Sequence, residues 1–240
     1  MKTILRGLAD ILFPPTCVVC EKILEEDLHF SFCPACFSEI RFINSPLCPR
    51  CGLPYFTETE SDHPCGDCLS RKQYFTSVRS LGIYETSLLK AIQRFKYQGS
   101  LHTGESLGSL MAAFSYPAFD VTEYDVLMPV PLHLRRLRER GFNQSLILAR
   151  AMAHKFSGAL DFMALRRTIG TAPQTGLKKE DRAANVRGAF EIGDRHRIKG
   201  KKVLLIDDVY TTGSTARECA RILLRGGARS VGVLTLARAT

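Results

Sequence analysis

Four Cys-x-x-Cys knuckles stand within 52 residues near the start of this chain: Cys17-Val-Val-Cys20, Cys33-Pro-Ala-Cys36, Cys48-Pro-Arg-Cys51 and Cys65-Gly-Asp-Cys68. Gaps of 12, 11 and 13 residues separate them. Two residues between thiolates let a tight turn aim both sulfurs at one ion while backbone N–H groups point at the same sulfurs. Two such knuckles make a tetrahedral four-cysteine zinc site, so eight cysteines are expected to make two structural Zn2+ sites. A disulfide framework would need an oxidising compartment for which nothing in the sequence argues. A redox Cys-x-x-Cys normally occurs once and in a βαβ context, which leaves an iron–sulfur cluster as the remaining competitor. Consecutive pairing, Cys17, Cys20, Cys33 and Cys36 on one ion and Cys48, Cys51, Cys65 and Cys68 on the other, is favoured over an interleaved arrangement. His63 is available as a substitute ligand, although a surface loop accounts for it equally well. Closed, all-thiolate sites fold and dock rather than catalyse.

Charge divides where cysteine does. Of nine cysteines only Cys219 lies beyond Cys68. Residues 1–75 carry seven Lys/Arg and ten Asp/Glu, a balance of −3, whereas residues 76–240 carry 26 and 14, a balance of +12. Two units are therefore expected: an N-terminal helix with a double zinc ribbon over 1–75, and a basic domain over 76–240 of ordinary single-domain size. Few apolar residues accompany the knuckles, so metal is expected to supply most of that module's folding free energy. With eight thiolates and two zinc ions its charge falls to about −7, and attraction to the basic domain follows. At 45% hydrophobic residues the 240-residue chain can bury a real core, which excludes a mainly disordered or collagen-like class. No apolar run reaches the ~18–20 residues of a membrane span. Arg6 and Asp10 interrupt what would be a signal peptide's apolar stretch. A cytoplasmic protein is expected, with peripheral association at the inner face of the cytoplasmic membrane left open.

From residue 76 apolar runs alternate with helical patterns. Strands are expected at Val78–Tyr84, Tyr124–Val130, Ala189–Ile192, Lys202–Ile206 and Val231–Leu236. Helices are expected at Ser87–Tyr97, Glu105–Phe114, Phe142–Phe156 and Ser214–Leu224, the last closed by Gly226-Gly227. This alternation argues an α/β domain with a mostly parallel sheet.

The sharpest motif is VLLIDDVYTTGST, residues 203–215. An apolar strand delivers Asp207 and Asp208 at its carboxyl end, and a hydroxyl-rich loop then opens a helix. Each part suits a ribose 5-phosphate. Helix-start N–H groups with the hydroxyls of Thr211, Thr212, Ser214 and Thr215 can wrap a phosphate dianion, and Gly213 lets the backbone come close. The two carboxylates can accept from ribose hydroxyls and orient magnesium-bound waters. A phospho-receiver domain is excluded, because it needs its aspartates near the start of a ~120-residue fold, and only 32 residues follow Asp208. Walker and dinucleotide glycine patterns are absent. A bland capped turn remains the alternative.

These residues resemble the phosphoribosyl-pyrophosphate (PRPP) loop of type I phosphoribosyltransferases, with Tyr210 departing from the smaller aliphatic residue usual there. Together with the cysteine knuckles, PVPLHLRRLRERGFNQS (129–145) and RTIGTAPQTGLKKEDRAANVRGAF (167–190), the whole chain is identified as resembling the ComF/GntX family of competence-linked, phosphoribosyltransferase-like proteins. The resemblance implies a type I phosphoribosyltransferase-like sheet flanked by helices, with PRPP and Mg2+ as ligands and Asp207 and Asp208 as the catalytic acids. It implies pyrophosphate binding at the basic turn, by Arg138, Arg140 and Gly141, with Arg135 and Arg136 solvated. Asn143 and Gln144 either cap the next helix or touch ligand. It also implies a hood over 167–188 that excludes water, with Gln174, Lys178, Arg182 and Asn185 reaching in; a plain loop has the same composition. Lys96 matches a family position and equally suits a helix C-terminus. The family's link to natural transformation implies single-stranded DNA and competence-machinery proteins as partners, and +12 suits a polyanion. Arg-rich segments at 135–140 and 195–202 are candidates for tracking a strand. The alternative is a metabolic phosphoribosyltransferase with an unidentified small-molecule acceptor. No Gly-x-Ser-x-Gly or His-Glu-x-x-His pattern supplies a nucleophile or catalytic zinc, so the second substrate would have to be the nucleophile.

Overall fold

The computed structural model of the chain describes residues 14–24, 30–57, 61–154, 156, 158–169 and 186–240. The expected N-terminal helix lies outside them. Five parallel strands form the central sheet: β1 (Val78–Ile83), β2 (Val126–Pro129), β3 (Ala159–Leu160), β6 (Lys202–Tyr210) and β7 (Ser230–Arg238), in the order β1-β7-β6-β2-β3. Strands β4 (Leu165–Arg167) and β5 (Phe190–Ile192) make a separate antiparallel pair at the two ends of the hood segment.

Continuous apolar runs explain the centre, since a parallel strand covered on both faces has no polar side to show. In β6, Leu204 and Ile206 enter one core while Val203 and Leu205 enter the other. Helices α3 (Thr86–Gln98), α4 (Leu101–Ala113) and α6 (Gln144–Ala153) cover the first face. In α3 the residues Leu88, Ala91, Ile92 and Phe95 are buried at helical spacing. Helix α7 (Ser214–Arg225) covers the second face with Ala216, Cys219, Ala220 and Leu223.

The knuckles have short helices of their own, α1 (Pro34–Ser38) after Cys33 and α2 (Gly66–Ser70) after Cys65. Their apolar residues do not form a private core. Val18, Phe32 and Ile40 pack into the first face, and Cys48, Cys51 and Phe75 into the second. The sheet therefore adds apolar support to the metal that the sparse apolar content made necessary. Opposite charges also meet across the junction, with Arg94 Nη2 lying 2.8 Å from Glu21 Oε1.

The basic stretch read as a turn is a helix, α5 (Leu134–Arg140), begun by His133 and ended by Gly141 in the left-handed region at φ +77°. Glu139 makes this local sequence helical, pairing with Arg135 at 3.0 Å and Arg136 at 3.8 Å one turn away. Helix α4 starts four residues before its expected position because Ser100 Oγ accepts from Thr103 N. Strands β3 and β4 are too short to leave a periodic trace. No helix among the described residues is long and apolar enough to cross a membrane.

Candidate active cleft and metal centres

In each cysteine cluster the four sulfurs lie within 4.8 Å of one another: Cys17, Cys20, Cys33 and Cys36 in the first, Cys48, Cys51, Cys65 and Cys68 in the second. Pairing is consecutive. The Cys20 and Cys33 sulfurs are 3.7 Å apart, and those of Cys51 and Cys65 3.6 Å. A tetrahedron with ~2.3 Å zinc–sulfur bonds has edges of about 3.8 Å, so these donor sets fit zinc. Backbone N–H groups complete the knuckles: Cys33 N donates to Cys17 Sγ, and Cys51 N and Cys65 N donate to Cys48 Sγ. Burial opposes ionisation of Cys17 and Cys48, but these N–H groups offset it, and both thiols titrate at about 7. Burial, then the neighbouring sulfurs, hold Cys36 and Cys68 well above the usual thiol range; a divalent ion removes that mutual repulsion. Both centres are closed structural zinc sites of a double zinc ribbon. His63 is no ligand; its ring stacks on Tyr55 with centroids 4.1 Å apart.

A cleft of about 800 Å3 opens at the carboxyl ends of β6 and β2. There the chain leaves the sheet in opposite directions, through α6 on one face and α7 on the other, which is where open α/β sheets bind ligands. Strand β6 runs four residues beyond Ile206, so Asp207 and Asp208 belong to the strand itself. Asp208 Oδ1 pairs with Lys96 Nζ at 2.9 Å. Asp207 Oδ1 accepts from Ser145 Oγ at 3.0 Å and from Asp208 N at 2.9 Å. Burial, then the adjacent Asp208, pushes the Asp207 carboxyl up to about 7. Lys96 is deeply buried, which works against its charge, but Asp208 more than offsets this and holds its ammonium above the ordinary range.

Thr211, Thr212, Gly213, Ser214 and Thr215 all line the same cleft. Gly213 has φ +70°, and a Cβ there would run into the Tyr210 hydroxyl. The cap position of α7 is Gly213, which has no side chain, and Thr212 Oγ1 accepts from Ser214 N only at 3.5 Å; the positive end of the helix there favours an anion. Arg217 Nη2 fixes the loop from below, donating to Thr212 O at 2.8 Å. Two adjacent carboxylates beside an open helix N-terminus can hold a polyol phosphate and a divalent cation together.

Other candidates separate. Helix α5 turns Arg135, Arg136 and Arg140 toward the cleft. Arg138 is not part of that wall, because residues four apart share a helix face and Arg138 falls between them. Gly141 ends α5 and borders a different, apolar groove. Asn143 caps α6, accepting from Ser145 N. Gln144 is buried in the cleft wall with its Nε2 unpartnered. Lys96 lines the cleft and pairs with Asp208, besides standing near the end of its helix. Gln174, Lys178, Arg182 and Asn185 lie outside the described residues. Ser145 and Arg167 escaped sequence reasoning: one hydroxyl in a helix's first turn and one Arg ending a three-residue strand carry no pattern of their own.

Residues 8–69 match the double zinc ribbon domain family and residues 143–240 the phosphoribosyl transferase domain family. The second match holds the acidic pair and the phosphate loop but begins after Lys96 and α5. Over 228 residues the chain is 33% identical to the DNA utilization protein YhgH of Escherichia coli (strain K12), covering 94% of this chain and 97% of that protein. It is 29% identical over 222 residues to competence protein F of Haemophilus influenzae, covering 89% and 94%. Identity to competence protein ComFC of Bacillus subtilis is 30% over 242 residues, covering 92% and 94%.

Proposed function

The chain belongs to the family of competence protein F, ComFC and YhgH, and from that premise we propose that it holds PRPP with Mg2+ in this cleft and contacts single-stranded DNA in a cytoplasmic step of DNA uptake. One observation carries the reading: the acidic pair and the Thr211–Thr215 loop that opens α7 face a single cleft. In this proposal the 5-phosphate rests on the N–H groups and hydroxyls of residues 211–215, and Asp207 and Asp208 accept from the ribose hydroxyls. Arg136, Arg140 and the Gln144 amide meet the pyrophosphate. Asp207 and Asp208 would hold Mg2+, which would supply positive charge toward the pyrophosphate. Fixed charges and dipoles would then favour departure of pyrophosphate over the bound ground state.

The DNA half of the proposal rests on the +12 balance of residues 76–240 and on Tyr97. That ring is 67% exposed at the cleft mouth, with the Arg140 guanidinium 5.5 Å from its centroid. An exposed aromatic beside an Arg is a stacking surface for an unpaired base. The test is titration calorimetry with PRPP and Mg2+, followed by gel shift of a single-stranded oligonucleotide across a salt series and a pyrophosphate-release screen. PRPP binding that Asp207→Asn and Asp208→Asn abolish, with salt-sensitive DNA binding, is expected. Pyrophosphate release with a small-molecule acceptor and no DNA shift would instead establish a metabolic transferase.

A further inference from the structure

Tyr210, the residue that departs from the usual loop pattern, joins the phosphate loop to the second zinc centre. It ends β6 and pairs in register with Arg238, the last residue of β7. Both side chains are 7% exposed. The Arg238 guanidinium lies 4.7 Å from the Tyr210 ring centroid, close enough for a cation–π contact. From there it reaches into the ribbon: Nη1 donates to Cys51 O at 2.6 Å, and Nη2 lies 3.6 Å from Cys51 Sγ, a ligand of the second centre. At its other end the Tyr210 hydroxyl packs against Gly213, directly before α7. Phe75 closes the ring edge-on at 6.4 Å.

The chemistry of this chain of contacts is directional. A zinc ion with four thiolates carries a net charge of about −2, which favours a buried cation donating to one of its sulfurs, as outer-shell partners of metal sites commonly do. Without the metal the sulfurs lose their fixed positions, and Arg238 loses the partner that holds its outer nitrogen. Tyr210 then loses the cation above its ring, and its hydroxyl is held less firmly against Gly213, where the backbone is left-handed. The buried Arg79 provides a contrast: it donates to the carbonyls of Pro49, Val78 and Pro117 and to no cysteine sulfur. The first zinc centre packs into the opposite face of the sheet, so it is an internal control.

We propose that Arg238 and Tyr210 are positioning residues that couple the second zinc centre to the phosphate loop, so that zinc at Cys48, Cys51, Cys65 and Cys68 and PRPP at residues 211–215 strengthen one another's binding. The coupling rests on the PRPP reading above and adds a regulation to it. Because linkage is reciprocal, the effect is measured from the zinc side. The full chain carrying two zinc ions is mixed with a chromogenic chelator, with and without saturating PRPP, after calorimetry has established whether PRPP binds.

PRPP should slow release of one of the two ions by about fivefold or more, the lower end of ordinary coupling, and leave the other unchanged. Cys20→Ser, which disables the first centre, should leave only the slowed ion. Arg238→Met and Tyr210→Val should keep two ions, lose the slowing and weaken PRPP binding several-fold, while Arg238→Lys restores part of both. If PRPP binds the wild-type chain but neither release rate responds, the coupling is wrong and the function stands. If PRPP does not bind at all, the functional reading fails and this inference with it. The wild-type comparison decides the matter even if a variant folds poorly.

Discussion

Lys96 reaches from the carboxyl end of α3 to place its Nζ 2.9 Å from Asp208 Oδ1, with side-chain exposures of 16% and 14%. The ion pair ties the first-face helices to the acidic end of β6, and it gives the recessed carboxylates a resident counter-charge.

Removing one partner of a buried pair leaves the other uncompensated, at a typical cost of 3–5 kcal/mol. Lys96→Met should therefore lower the unfolding free energy at pH 8 by roughly 3 kcal/mol, read from urea unfolding. Millimolar Mg2+ with PRPP should recover part of that loss by replacing the missing charge. A variant as stable as wild type would show that water already reaches Asp208.

The Asp207 carboxyl is raised, by burial first and Asp208 second, from an ordinary 3.8 to about 7. Between those values the folded chain keeps a proton that the unfolded chain has released, so the unfolding free energy falls as pH rises through the window. Asp207→Asn abolishes that slope. Its melting midpoint should match wild type near pH 4 and exceed it at pH 8, by roughly 3 °C for each kcal/mol relieved. Binding of PRPP should be lost in the same variant. Parallel pH profiles for the two proteins would locate the raised proton elsewhere.

Both zinc centres share cores with the sheet, so metal removal should be felt throughout the molecule. Cys65→Ser should bind one zinc ion per chain instead of two and melt at a lower temperature in a single transition. Two separate transitions would indicate ribbons that fold independently of the sheet.

Tyr97→Ala removes the exposed ring at the cleft mouth. Stacking on one aromatic is worth about 1–3 kcal/mol per base, so affinity for a single-stranded oligonucleotide should drop at least fivefold while PRPP affinity stays unchanged. Arg140→Gln should instead reduce the salt slope by about one counterion. Oligonucleotide binding indifferent to both changes would move the nucleic-acid surface away from the cleft.

What the sequence made legible was local and periodic. The knuckle spacing announced both metal centres, and the run from Val203 to Thr215 announced the strand, the loop and the helix after it, because those residues act with their chain neighbours. Long-range partners left no trace. Nothing near Lys96 or Ser145 indicates Asp208 or Asp207, each more than 60 residues away in the chain. The face of a helix that was not foreseen also decided which of Arg135, Arg136, Arg138 and Arg140 reach the cleft. The knuckles' sparse apolar content gave no sign that their flanks pack into the cores of the distant sheet.

That last relationship has a consequence for how the protein is made. Strand β1 pairs with β7, Val78 opposite Val233 and Ile83 opposite Arg238, and the knuckles before β1 rest on cores that β6 and β7 complete. A ribosome delivers the first eight cysteines long before the strands that cover them. The knuckles' apolar flanks are therefore fully covered only once β7 has closed beside β1. The same strand thus completes the sheet edge beside β1 and, through Arg238, touches the second cysteine cluster.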